Sequence, residues 1–202
     1  KVDFTYRDSD YSLTEAHEEE EHHDEEEHDE EEEHEEHAPT VFMNDAVEYG
    51  AIFDISNDSS TQKVVVNFVD EDNSIVGEEA FMNPANSKEF TMGYYLSKDI
   101  GIYDLDVGFR HDQIERSGSV TEEEHGDDHD DHGDEHEDEH GEIDYYNIED
   151  STNSFAVTLG RSLNDNLGVS LGYASVERLP SSIELFMNGP HMATGRFEVG
   201  DP

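Results

Sequence analysis

Apolar residues recur at every second position along most of the chain. In Tyr103-Asp-Leu-Asp-Val-Gly-Phe-Arg110, one face is Tyr103, Leu105, Val107 and Phe109, and the other is Asp104, Asp106, Gly108 and Arg110. Phe155, Val157 and Leu159 alternate with Ser154, Ala156, Thr158 and Gly160. Leu167, Val169, Leu171 and Tyr173 alternate with Gly168, Ser170, Gly172 and Ala174. This period of two is the strand signature, and no segment carries a 3.6-residue apolar stripe. Seven strands are predicted, at 2–13, 41–55, 62–72, 88–97, 102–115, 152–162 and 167–177.

Short and long connections take turns. Asn57 to Ser60, Lys98 to Gly101 and Leu163 to Asn166 are short, while Asn73 to Ser87 is longer. Two others contain a different material. From Glu15 to His37, 23 residues hold 16 acids and 6 histidines. From Glu122 to Glu142, 21 residues hold 13 acids, 5 histidines and 3 glycines. Neither insert has apolar residues to bury, and like charges repel along each, so both read as long, solvated, disordered loops. In an up-and-down sheet, alternating connections place all the long loops at one end.

One apolar face, one small or polar face, and long loops at one end predict an all-β, antiparallel, up-and-down transmembrane β-barrel. On the expected fold, Tyr94, Tyr95, Tyr103 and Tyr173 mark lipid interfaces. Seven strands leave two unpaired edges, which lipid does not tolerate, so the chain is expected to be a fragment of a larger barrel. The competing architecture is a soluble β-sandwich with one wet face.

Composition sharpens this picture. The chain has 55 acidic and 10 basic residues in 202, a formal net charge of −45. Such a surface repels phosphate and excludes most nucleic-acid binders. The two inserts account for −29 of that charge, since none of the bases lies in them. No cysteine is present, so there is no disulfide framework and no thiolate metal site. No apolar run is long enough for a membrane-spanning helix, and residues 1–10 lack the apolar core of a signal peptide.

Imidazole and carboxylate are both zinc ligands, and imidazole also suits copper and nickel. His17, His22, His23, His28, His34 and His37 in the first insert are therefore candidate ligands, with His125, His129, His132, His136 and His140 in the second. Many weak, exchanging sites are expected rather than one closed tetrahedral site. His136-Glu-Asp-Glu-His140 fits the zincin pattern, but that motif needs a helix, and Gly133 and Gly141 flank it. The run from Asp128 to Glu139 approaches an EF-hand loop, with histidine at its fifth place and no flanking helices. Neither is read as a true site, and no catalytic constellation is expected.

The C-terminal stretch carries more specific information. Glu177-Arg178-x-Pro180-Ser181, Glu184-Leu185-Phe186, Asn188-Gly189-Pro190-His191, Ala193-Thr194-Gly195 and Phe197-Glu198-x-Gly200 form a block that resembles a signature segment of TonB-dependent outer-membrane receptors. Phe4-x-Tyr6-Arg7-Asp8-x-Asp10-Tyr11 and Gly77-Glu78-Glu79-Ala80-Phe81 are similar to the same family. A His/acid-rich loop after the first motif resembles the zinc-uptake branch. The resemblance covers essentially the whole chain, 1–202, with extracellular loops at 15–37 and 117–150. It implies an outer-membrane barrel of about 22 strands filled by a plug domain, of which this chain covers about a third. It also implies an inner-membrane energy-coupling complex acting through a plug absent from these residues.

The expected function is uptake of zinc or another divalent cation, as cargo rather than catalytic cofactor, with the loops capturing the ion. His191, with Glu79 or Glu78 as partner, is the candidate for a more defined lumen site. His111 reads as an ordinary interfacial residue. A metal chelate or haem is the alternative cargo. A soluble extracellular metal buffer on a β-sandwich is the alternative class.

Overall fold

The fold is known from a computed structural model, which describes residues 1–15, 39–77, 80–122, 142–191 and 196–202. Seven strands form one antiparallel sheet in sequence order. They are β1 (Val2–Glu15), β2 (Thr40–Asp54), β3 (Ser60–Val76), β4 (Ala85–Ile100), β5 (Tyr103–Glu122), β6 (Glu142–Asn164) and β7 (Leu167–Ser175). A short helix α1 (Ser182–Phe186) and a hairpin of β8 (Asn188–His191) and β9 (Arg196–Val199) follow. The sheet is open, with β1 and β7 at its edges. A sandwich requires two facing sheets of comparable size, so this topology does not meet the sandwich expectation.

Short turns join the strands at one end. Gly101 has φ +67°, the left-handed region that glycine enters without a Cβ penalty. Ile102 does not share it, which is the pattern of a two-residue type II′ turn between Ile100 and Tyr103. The β2–β3 turn is closed by Asn57, whose Oδ1 accepts from the Ser59 N–H at 2.9 Å. At the opposite end lie the three longer connections, residues 16–39, 77–84 and 123–141.

Several strands outrun their predicted lengths. The β5–β6 ladder continues to Glu122 opposite Glu142, through residues expected to be loop in 117–150. The β3–β4 ladder includes Asn73 opposite Ala85, where a loop was expected to begin. The reason is that ladder bonds are made by backbone groups, so polar side chains on both faces do not end a strand. Apolar alternation marks only the part of a strand that has an apolar environment to meet.

The register assigns every side chain to a face. Val2, Phe53, Val64, Tyr94, Phe109 and Phe155 lie in one lateral row across β1–β6. Four residues toward the long-loop end, on the same face, Tyr6, Tyr49, Phe68 and Phe90 are four neighbouring aromatics. These belong to a continuous apolar belt, and it is exposed: Phe4 retains 80% of its accessible surface and Leu171 81%. Tyr95 is a correction. It lies on the opposite face, where its hydroxyl donates to Asp106 Oδ1 at 3.1 Å.

The belt crosses the sheet obliquely. Apart from Tyr145, which stands alone higher on β6, its upper aromatics over β1–β4 are Tyr6, Tyr49, Phe68 and Phe90 in one row. It then drops to Phe109 and Phe155, four residues lower, and to Tyr173, two lower again. Six residues of stagger over six strand spacings is roughly 20 Å over roughly 29 Å, so the strands incline by about 35° to the normal of the belt.

The buried core lies elsewhere, on the polar face at the long-loop end. Ile75, Met82, Ala85, Leu185 and Phe186 form it, flanked by Phe42, Phe81, Val120, Tyr146 and Ile148. Phe186 of α1 is fully buried. It fits because Gly118 faces it: a Cβ there would stand 2.6 Å from the Phe186 ring. Phe186→Ala is expected to release the C-terminal unit while leaving the sheet paired. Hydrogen exchange should then speed up at 182–199 and stay slow in β4 and β5. Equal loss of protection in both would show that α1 is integral to the sheet.

Candidate functional site

The polar face carries the charged network of the described structure. Near the β1 edge, Glu48 accepts from Arg7 Nε at 3.3 Å and from Asn67 Nδ2 at 2.9 Å. Gly50 sits opposite Asn67, whose Oδ1 would lie 2.9 Å from any Cβ there. Asn44 donates to Glu71 and to Asn73. A second cluster spans β4–β6. Asp112 is buried and accepts from Arg110 Nε at 2.7 Å, from Thr91 Oγ1 at 2.6 Å and from Thr152 Oγ1 at 3.4 Å. Arg116, also buried, donates to Glu89 Oε1 at 2.8 Å.

Above this cluster runs the strap 176–181, which leaves the sheet where β7 ends. The last β6–β7 pair is Phe155 with Ser175, so β6 loses its neighbour from Ser154 onward. Glu177 fills the gap: its carboxylate accepts from the Asn153 N–H at 2.8 Å, and its own N–H donates to Ser154 Oγ at 3.1 Å. Strap and sheet enclose a cleft of about 560 Å³ lined by Glu89, Arg110, Asp112, Arg116, Thr152 and Arg178 among others.

The C-terminal residues 177–189 are fastened within this geometry. Ser181 caps α1 in a reciprocal capping box with Glu184. Arg178 grips the same carboxylate with two nitrogens, at 2.9 and 2.8 Å. The Arg178 guanidinium, then the Ser181 donors, hold the Glu184 carboxyl down at about 2. Asn188 fastens the hairpin, its N–H donating to the Phe81 carbonyl at 2.7 Å and its Nδ2 to the Thr121 carbonyl at 2.6 Å. Gly189 passes so close to Phe81 that a Cβ would lie 2.8 Å from its Cα.

Most of the sequence-derived ligands lie outside the described residues. These are His17, His22, His23, His28, His34 and His37, then His125, His129, His132, His136 and His140, and also Glu78 and Glu79. For His191 only the backbone is described, in β8 opposite Arg196. The antiparallel Met82–Met187 bridge does bring the Ala80–Met82 stretch beside Met187–Gly189. Those are the chain neighbours of Glu79 and His191. His111 lies on the belt face, where its Nδ1 meets Asn153 Oδ1 at 3.0 Å. Among the described residues no group of three His, Asp or Glu side chains is arranged to hold a metal.

The buried Asp112 and Arg116 were not singled out by sequence reasoning. Their place on one face of β5 with Arg110 and Ile114 was the available signal, but the partners Thr91, Thr152 and Glu89 come from other strands. Comparison with protein-family models, curated proteins and solved structures finds no match for this chain.

Two outcomes follow from this geometry. Glu89→Ala strands a buried guanidinium and is expected to destabilise the protein by about 3 kcal/mol, whereas Glu89→Leu with Arg116→Met recovers most of the loss. Thermal unfolding of the three proteins checks this. Second, Glu184 has a depressed folded pKa, so its stabilisation is complete above the ordinary value of 4.5 and is lost as pH falls toward about 2. Protease cleavage at 176–187 should therefore rise across that window in the parent and be insensitive to it in Glu184→Gln.

Proposed function

We propose that the chain is the barrel segment of an outer-membrane, TonB-dependent-type receptor that takes up zinc or another divalent cation. The observation that carries the membrane part is the oblique apolar belt. Spanning β-strands tilt by about 35–45° and present an outward apolar band edged by aromatics. The belt's incline of about 35°, its aromatic edge Tyr6–Tyr49–Phe68–Phe90 and its exposure all fit that arrangement. In this reading the opposite face, with Glu48, Asp112 and Arg116, looks into the lumen. Further strands of the same barrel pair with the β1 and β7 edges.

The cation part rests on the inserts. The β1–β2 and β5–β6 connections leave the sheet at the same end. In this reading their 11 histidines and 26 carboxylates share one rim. A field of that density concentrates divalent cations. Neutral imidazoles supply ligands that protonation removes, so capture weakens as pH falls. The cation then passes inward to His191 with Glu79 or Glu78, and onward by energy-coupled movement of a plug domain.

The protein is expected in the membrane fraction, released by detergent and not by high salt; recovery in the soluble fraction would end the barrel reading. Calorimetric zinc titration before and after deletion of 15–37 and 122–142 should show most bound zinc lost with the loops. Unchanged stoichiometry would remove their role in capture. Zinc-limited growth should fall further with His191→Ala than with His111→Ala.

A further inference from the structure

The two edges of the apolar belt carry opposite charge. Toward the long loops, on the belt face, Asp8, Asp70, Glu115 and Glu149 share a lateral row with Val47 and Lys88. Asp10, Asp45 and Asp72 share the next. Toward the short turns, the same face presents Lys98 and Arg161. Lys98 lies in the row of Leu105, Leu159 and Leu171, with Ser60 on its other side. Arg161 lies opposite Val169, its guanidinium 5.7 Å from the centre of the Tyr103 ring. No acidic side chain shares the belt face in these rows. Both cations are exposed, and among the described residues neither forms an ion pair, in a chain with 55 acids.

We propose that Lys98 and Arg161, with Tyr103, form a docking edge for the phosphates of anionic lipids at the short-turn side of the belt. The inference rests on the membrane reading above and adds to it a lipid class and a side. Long cationic side chains at the end of a spanning segment extend to the headgroup layer while their stems stay in the acyl region. The Arg161 guanidinium is already oriented by the Tyr103 ring face and keeps its donors for a phosphate. The acidic rows at the other edge repel the same headgroups, so the preference belongs to one side alone.

The chain has no tryptophan, so Tyr103→Trp places a single reporter within it at this edge and preserves the ring beneath Arg161. The protein is reconstituted into vesicles of phosphatidylcholine with 25 mol% brominated phosphatidylglycerol, or of phosphatidylcholine with 25 mol% of its own brominated form. Quenching should be stronger with the anionic lipid. The preference should fall about fivefold for each of Lys98→Gln and Arg161→Gln, and stay unchanged with Lys88→Gln in the acidic rows. Equal quenching by both lipids overturns the headgroup inference and leaves the membrane reading standing. Quenching by neither overturns the membrane reading and this inference with it.

Discussion

Everything in this protein depends on one continuous antiparallel ladder. The register of seven strands is nearly unbroken, with a single irregularity between Ser162 and Asn164. Because the side-chain period is two, one residue of slip anywhere would exchange the faces beyond it. The belt Val2–Phe53–Val64–Tyr94–Phe109–Phe155 would then break. The buried Asp112 would also leave Thr91 and Thr152. The turns hold that register: Gly101 supplies the one backbone conformation the β4–β5 turn needs, and Asn57 closes β2–β3.

The distribution of burial inverts that of an ordinary soluble sheet. Apolar side chains such as Phe4, Phe90 and Leu171 are exposed, while Asp112, Arg116, Thr152 and Ser182 are buried. A soluble sheet loses free energy on both counts. The arrangement becomes favourable if the belt meets hydrocarbon and the polar face closes on itself through satisfied pairs. Asp112, with its three donors, shows how that satisfaction is reached.

The packed core of the described residues depends on the C-terminal segment returning to the sheet. Strap, α1 and the β8–β9 hairpin bury Leu185 and Phe186 against Ile75, Met82 and Ala85. Close approach without a Cβ at Gly118 and Gly189 makes this possible. The residues of this C-terminal segment thus have local tasks. Glu177 takes over the N–H of Asn153 beyond the end of β7, Arg178 and Ser181 share Glu184, and Asn188 ties the hairpin to the backbone of Phe81 and Thr121.

The sequence by itself determined the seven strands of the main sheet, their up-and-down order and the face of most side chains, because strand periodicity is local and apolar alternation records it; it did not show α1 or the β8–β9 hairpin. It also determined that the extreme charge sits in two connections, since that is a matter of counting. Strand ends escaped it: through 117–122 and 142–150 the apolar residues Val120, Ile143, Tyr145, Tyr146 and Ile148 fall on both faces among acids, so no clean alternation marks the pairing. So did the face of Tyr95, one position from Tyr94, because two adjacent aromatics give alternation no sign to follow. Only the tertiary structure decided the buried Asp112 and Arg116 clusters, the seat of Phe186 and the incline of the belt. Each depends on the registration of residues tens of positions apart, and lateral pairing between strands is a long-range relation that no local period encodes.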